Sequence, residues 1–230
     1  MNKPLDRLKF VQQRIENACA AARRPASEVK LLAVSKRNPA EKLRAFNKLG
    51  VDAFGENQLQ EALKKQQELS DLQLQWHFIG AIQSNKTRPI AEEFDWVQSV
   101  DRERILKRLD SQRPPDAGVL NVCLQIDIDN EPQKGGAAPE DILPLAAIAS
   151  SLSNIRLRGL MAIPKHSYDK DEQRDSFRRV REVFDQLKAA GYDVDTLSMG
   201  MSADLESAIH EGSTMVRVGT DIFGERNRKE

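Results

Sequence analysis

VKLLAVSK, residues 29 to 36, is the stretch on which the fold turns. Val29, Leu31, Leu32, Ala33 and Val34 leave only Lys30 and the closing Ser35 and Lys36 polar, which is the length and branched-residue content of a strand buried on both faces. Pro39 follows at the start of AEKLRAFNKLG, a helical segment that Gly50 stops. One strand and one helix thus form a unit, and the unit recurs. VDAFGE (51–56), WHFIGA (76–81), WVQSV (96–100), LNVCLQIDI (120–128), RLRGLMAIP (156–164), TLSMG (196–200) and MVRVG (215–219) read as further strands. Helical segments begin near Asn57, Ser84, Asp101, Pro139, Asp169 and Ser202, several opened by a side chain able to cap free backbone N–H groups. SQRPPDAG and IPKHSYDKDEQ read as loops.

Ahead of the first strand, Leu5, Leu8, Val11, Ile15 and Cys19 recur at helical spacing, predicting a helix that stops near Arg23, Arg24 and Pro25. Strand and helix alternate throughout, and nothing marks a dinucleotide crevice. The pattern therefore predicts an α/β fold: a single parallel (β/α)8 barrel of the TIM type with an extra N-terminal helix, one domain over 1–230. TDIFGERNRKE follows the last strand, so the eighth helix is expected to be missing or very short, with the N-terminal helix covering that gap.

With 230 residues and 40% hydrophobic content the chain can bury a large core. Lys plus Arg and Asp plus Glu each number 35, so no basic surplus exists to attract nucleic acid or an anionic membrane. Cys19 and Cys123 stand far apart, with no second thiol or histidine at metal-ligand spacing, which argues against a disulfide framework or a zinc site. Neither a signal-type start nor an apolar run of membrane-spanning length occurs, so a cytoplasmic protein is expected, with a monomer as the expected state.

Parallel barrels carry their chemistry at the C-terminal ends of the strands. Lys36 leaves an apolar strand end, where partial desolvation favours the neutral amine that attacks an aldehyde; the competing reading is a lysine that merely extends its amine to water. LSMGMSADLESAIHEG combines a strand end, a glycine turn and a helix start that can receive phosphate, with Ser202 either capping its own helix or serving the anion. Asp204 and Glu206 oppose an anion there. MVRVGTDIFGER supplies a second such turn, where Gly219 and Thr220 offer backbone and hydroxyl donors. Arg217, between Val216 and Val218, needs an acceptor inside the strand layer, either a carboxylate or a ligand. The acidic run Asp127, Asp129 and Glu131 lacks the spacing and central glycine of a calcium loop. His77 reads as a satisfied interior residue, and Trp76 and Trp96 as packing anchors.

The blocks LLAVSK, FGEN, WHFIGAIQSNK, RGLMAIP, LSMGMSADLESAI and MVRVGTDIFGER together resemble the pyridoxal phosphate homeostasis proteins, whose fold is that of the barrel domain of alanine racemase. The resemblance covers nearly the whole chain. It implies that Lys36 carries pyridoxal phosphate as an imine, that Ser198 or Ser202, Gly219 and Thr220 surround the phosphate, that Arg217 faces the pyridine nitrogen, and that Asn57 neighbours the other edge of the ring. Three positions depart from the family pattern: Gln58 stands where tyrosine is common, Asn38 where lysine is frequent, and Asp127 where asparagine is usual. Lys134 reads as a solvated loop lysine in preference to a second cofactor contact.

A cationic Arg217 at the ring nitrogen weakens the ring as an electron sink, and racemisation needs a second acid or base that neither Tyr168 nor Tyr192 offers convincingly. The expectation is therefore a protein that holds pyridoxal phosphate and passes it to apoenzymes through transient contact; the alternative is a weak amino-acid racemase.

Overall fold

Apolar runs become strands here because each is covered on both faces. The computed structural model describes residues 3–224. Its strands are β1 (Lys30–Val34), β2 (Ala53–Glu56), β3 (Gln75–Phe78), β4 (Trp96–Val100), β5 (Leu120–Ile126), β6 (Ile155–Ala162), β7 (Thr196–Ser198) and β8 (Met215–Val218). Every residue of β4, β7 and β8 is buried. Each strand pairs in parallel with the next, and β8 returns to β1 with Ala33 opposite Val218, closing the barrel. The predicted (β/α)8 architecture is therefore the one observed.

The helices are α1 (Pro4–Ala21), α2 (Ala40–Asn47), α3 (Leu59–Glu68), α4 (Thr87–Glu93), α5 (Glu103–Gln112), α6 (Ile142–Ser150), α7 (Lys170–Ala189), α8 (Leu205–His210) and α9 (Thr220–Phe223). In α1, Leu8, Val11, Ile15, Ala18 and Cys19 form one buried stripe, the 3.6-residue period of an amphipathic helix. That stripe packs on α2, α8 and the four-residue α9, so the N-terminal helix does cover the place of a full eighth helix.

Helices start later than the polar residues preceding them suggest. The clearest case is α8, which does not begin at Ser202. Met201 N–H donates to Asp204 Oδ1 at 2.6 Å and Asp204 N–H returns to Met201 O at 3.1 Å, closing a tight turn that delays the helix to Leu205. Ser202 caps nothing, and Asp204 takes the N-cap position. At α7 the expectation of a start near Asp169 holds: its carboxylate accepts from the N–H groups of Asp171 at 2.8 Å and Glu172 at 3.4 Å. The stretch read as the loop IPKHSYDKDEQ thus contributes its last four residues to α7.

One glycine is required by a close approach. Gly159 on β6 has φ of +143°, and a Cβ there would stand 2.0 Å from the Thr196 carbonyl oxygen on β7. The neighbouring β5–β6 register slips by one between Val122 and Cys123, so the barrel wall bends at this point.

Candidate functional site

The mouth of the barrel is built where β7, β8, β1 and β2 end. Lys36 lies two residues past β1, half-buried, on a turn closed by Asn38 N–H to Ser35 O at 3.0 Å. Asn38 also donates from its amide to Lys36 O at 3.2 Å. Arg37 adopts φ of +59°, a left-handed conformation that non-glycine residues seldom take. Beneath this turn sits a buried ion cluster. Lys65 Nζ, on α3, donates to Ser35 O at 2.8 Å, to Glu56 Oε1 at 2.6 Å and to Glu61 Oε1 at 2.6 Å, which uses all three ammonium donors. Ser35 Oγ donates to the same Glu56 oxygen at 2.6 Å, and Arg37 N–H donates to Glu61. Burial pushes the Glu56 carboxyl above its ordinary range despite the bonds from Lys65 and Ser35, and Glu56 Oε2 has no partner among the described residues.

Gly219 follows β8 directly beside the first of these strands: a Cβ on it would meet Val34 O at 3.3 Å. Thr220 is exposed at the start of α9. Asn57 follows β2 and is half-buried, its backbone pressed against Gly80. Ser202 is half-buried in the turn after β7. The backbone N–H groups of Ser202, Ala203, Thr220 and Asp221 meet no acceptor among the described residues. Arg14 of α1 ties these two turns together. It pairs with Glu206 through Nε and Nη2, each at 2.7 Å, with the Asp221 carboxylate, and with Ser202 O at 2.9 Å. Burial alone would raise the Glu206 pKa, but its bonds to Arg14 outweigh that and hold the carboxyl low. Glu206 therefore presents a neutralised pair rather than a bare anion.

Arg217 does not take the carboxylate that was one of the two partners expected for it. Only 3% exposed, it donates from Nη1 to Ser198 O at 2.7 Å and Ser198 Oγ at 2.8 Å, and from Nη2 to Ala162 O at 2.8 Å. Two carbonyls and one hydroxyl of β6 and β7, not a carboxylate, hold three of its five N–H groups. Burial lowers its pKa to about 10, with Asp204 opposing, so it stays charged at neutral pH. Ser198 is fully buried and its hydroxyl is engaged twice, accepting from Arg217 and donating to Gln98 Oε1 at 2.7 Å. Of the two serines considered for phosphate, Ser198 instead braces the arginine, and Ser202 stands at the mouth.

Because arginine only donates, the direction of every bond beyond it is fixed. Ser198 donates to the Gln98 carbonyl, Gln98 Nε2 donates to His77 Nδ1 at 2.8 Å, and His77 Nε2 donates to Gln75 Oε1 at 3.0 Å. β4 and β7 are not neighbours in the sheet, so this thread runs through the barrel interior. Trp96 stacks on the His77 ring at 5.1 Å. Burial, aided by the charge of Lys30, lowers His77 to about 3, and it is neutral. His77 is thus the satisfied interior residue that its strand context predicts, but in a network that spans β3, β4, β7 and β8.

Lys134 corrects its reading as solvated: it is half-buried, pairs with Glu131 and donates to Pro164 O at 2.8 Å. Asp129 is held by Arg179, Ser176 and the Lys165 N–H, and Asp127 accepts from Glu131 N–H. Tyr168 is 93% exposed beside His166, while Tyr192 packs against the core near the opposite, N-terminal end of β6. Both cysteines are buried and free, and no described helix is long and apolar enough to cross a membrane.

Sequence reasoning missed Glu61, Lys65, Arg14 and Gln98. Lys65 left one signal: it interrupts the stripe Leu59, Ala62, Leu69 of α3 and its C-cap, four residues after Glu61.

Comparisons with known proteins agree with this architecture. The model of the alanine racemase N-terminal domain family matches residues 10–227. A pyridoxal phosphate homeostasis protein of Pseudomonas aeruginosa is 52% identical over 99% of this chain and 97% of its own length. PipY of Synechococcus elongatus, solved with pyridoxal phosphate bound, is 38% identical, covers 91% of this chain and 100% of its own, and superposes with a TM-score of 0.81. Alanine racemase of Clostridium difficile, at 16% identity and TM-score 0.77, covers 98% of this chain but only 58% of its own, a likeness of fold. The chain belongs to the pyridoxal phosphate homeostasis proteins, within the family defined by the alanine racemase N-terminal domain.

Proposed function

We propose that this protein binds pyridoxal 5'-phosphate covalently through Lys36 and acts as a carrier that passes it to apoenzymes. The observation that carries the reading is the gathering of Lys36, Asn57, Gly219, Thr220 and Ser202 at the ends of four consecutive barrel strands. The donor set fits the ligand. Unpartnered N–H groups in the turns after β7 and β8 suit a phosphate, a half-buried lysine suits an aldehyde, and Arg217 keeps two N–H groups for a ring acceptor. Relatives named as pyridoxal phosphate homeostasis proteins, and PipY with the cofactor bound, support the same ligand.

In this reading Lys36 would be the residue that holds the aldehyde end of the cofactor through its amine. When bound, the pyridine ring supplies an electron sink to amino groups attached at the aldehyde carbon. Arg217 limits that chemistry. Its guanidinium, charged at neutral pH and locked by β6 and β7, disfavours a proton on a facing ring nitrogen. Asn57 would face the other edge of the ring, and Ser202, Gly219 and Thr220 would hold the phosphate. Tyr168 projects into solvent and Tyr192 lies at the far end of the barrel, which leaves no tyrosine placed as a second acid–base group. The balance favours a carrier over an enzyme, and two free buried thiols suit a cytoplasmic setting.

Saturating the protein with pyridoxal phosphate gives a yellow adduct that borohydride fixes to Lys36, and Lys36→Ala stays colourless with unchanged thermal unfolding. A colourless wild type ends the proposal. Solvent-deuterium exchange of single L-amino acids separates carrier from racemase: rapid, Lys36-dependent exchange overturns the carrier reading, whereas transfer to an apoenzyme without exchange supports it.

A further inference from the structure

Lys36 stands on a turn that the backbone does not favour. Arg37 at φ of +59° is the kind of conformation that persists only when surrounding structure over-determines it. The over-determination is visible. Upstream of Lys36, Ser35 N–H donates to Gly55 O at 3.0 Å, its hydroxyl to Glu56, and its carbonyl accepts from Lys65. Downstream, Arg37 N–H donates to Glu61. Both flanks thus converge on one ammonium, Lys65 Nζ, whose side chain is 6% exposed. None of these groups belongs to the site itself, and a buried lysine bonded to two carboxylates is a demanding arrangement to maintain where a leucine would pack as well.

We propose that Lys65 and Glu61, working with Glu56, are positioning residues that fix the left-handed turn at Arg37 and so aim the Lys36 amine into the barrel mouth. The inference rests on the reading that Lys36 holds pyridoxal phosphate. Lys65 ties the Ser35 carbonyl to the cluster and orients the Glu61 carboxylate. Glu61 then holds the Arg37 N–H in a geometry that the residue would otherwise leave. Released from Glu61, Arg37 relaxes toward negative φ and rotates the Lys36 peptide away.

Glu61→Ala tests this more cleanly than Lys65→Met, because Lys65 keeps its Glu56 partner and the apo-protein is expected to fold. Pyridoxal 5'-phosphate binding, followed by adduct absorbance, weakens roughly tenfold in Glu61→Ala, the scale expected when a reacting group is misplaced. Glu61→Gln, whose amide oxygen still accepts, stays within about twofold of wild type. Arg37→Gly in the Glu61→Ala background restores binding to within about threefold, since glycine holds positive φ unaided. Hydrogen exchange in protein without added cofactor gives an independent readout: the Arg37 amide exchanges faster in Glu61→Ala and slowly in Glu61→Gln.

Wild-type affinity and unchanged Arg37 exchange in Glu61→Ala overturn the proposal, as does failure of Arg37→Gly to rescue. If wild type itself forms no adduct, the functional reading falls instead, and the exchange measurement still decides whether the cluster holds the turn.

Discussion

Acid should destabilise this barrel through His77, and the size of the effect follows from its surroundings. The residue is fully buried, and its pKa falls from 6.5 to about 3. Above pH 6.5 the imidazole is neutral in both folded and unfolded chains and adds no pH dependence. Below that value the unfolded chain takes up a proton that the folded one refuses, so stability falls as pH falls, until the folded pKa is reached. The slope in that window approaches ~1.4 kcal/mol per pH unit, and by about pH 4.5 the accumulated loss is about 2–3 kcal/mol. Protonation would also convert Nδ1 into a donor facing the Gln98 amide donor and break the thread that braces Arg217. His77→Gln isolates this contribution, because its amide can accept from Gln98 and donate to Gln75 without titrating. Urea unfolding of wild type and His77→Gln, between about pH 7.5 and pH 4.5, should show the variant retaining that same ~2–3 kcal/mol at the acid end. Parallel pH profiles for the two proteins would refute the argument, since every other titrating group is common to both.

Two further outcomes probe the mouth. Arg14→Leu leaves Glu206 and Asp221 unneutralised beside the turns after β7 and β8. Affinity for pyridoxal phosphate should fall on the order of tenfold while adduct formation with pyridoxal, which lacks the phosphate, stays within about twofold; equal losses for both would show that Arg14 serves only the packing of α1. Gly80→Ala places a Cβ 2.2 Å from the Asn57 carbonyl oxygen and must displace that backbone. Binding monitored by adduct absorbance should weaken roughly tenfold with the barrel still folded by circular dichroism, and unchanged affinity would remove Asn57 from the ligand's surroundings.

Much of this protein was legible in the chain because the signals are local. VKLLAVSK and the seven runs like it announce strands through their own composition, and the helical spacing of Leu8, Val11 and Ile15 announces α1. Lys36, Asn57, Gly219 and Thr220 were reachable from the rule that strand ends carry chemistry, sharpened by resemblance to a family. Ser202 shows where such reading stops: the serine has the chemistry of a cap, yet the carboxylate of Asp204 competes for the turn, and only the folded backbone decides between them.

Sequence by itself therefore determined the alternation, the closed α/β architecture and the lysine at the end of the first strand. Tertiary structure alone decided what surrounds them. The thread from Arg217 to Gln75 joins Ser198 to Gln98 across 100 residues of chain, and Arg14 reaches Glu206 across 192. The bond from Lys65 to the Ser35 carbonyl exists only once α3 is laid against the end of β1. Strand propensity depends on a residue and its immediate neighbours, whereas a buried polar side chain is tolerated only if closure of the barrel delivers its partner.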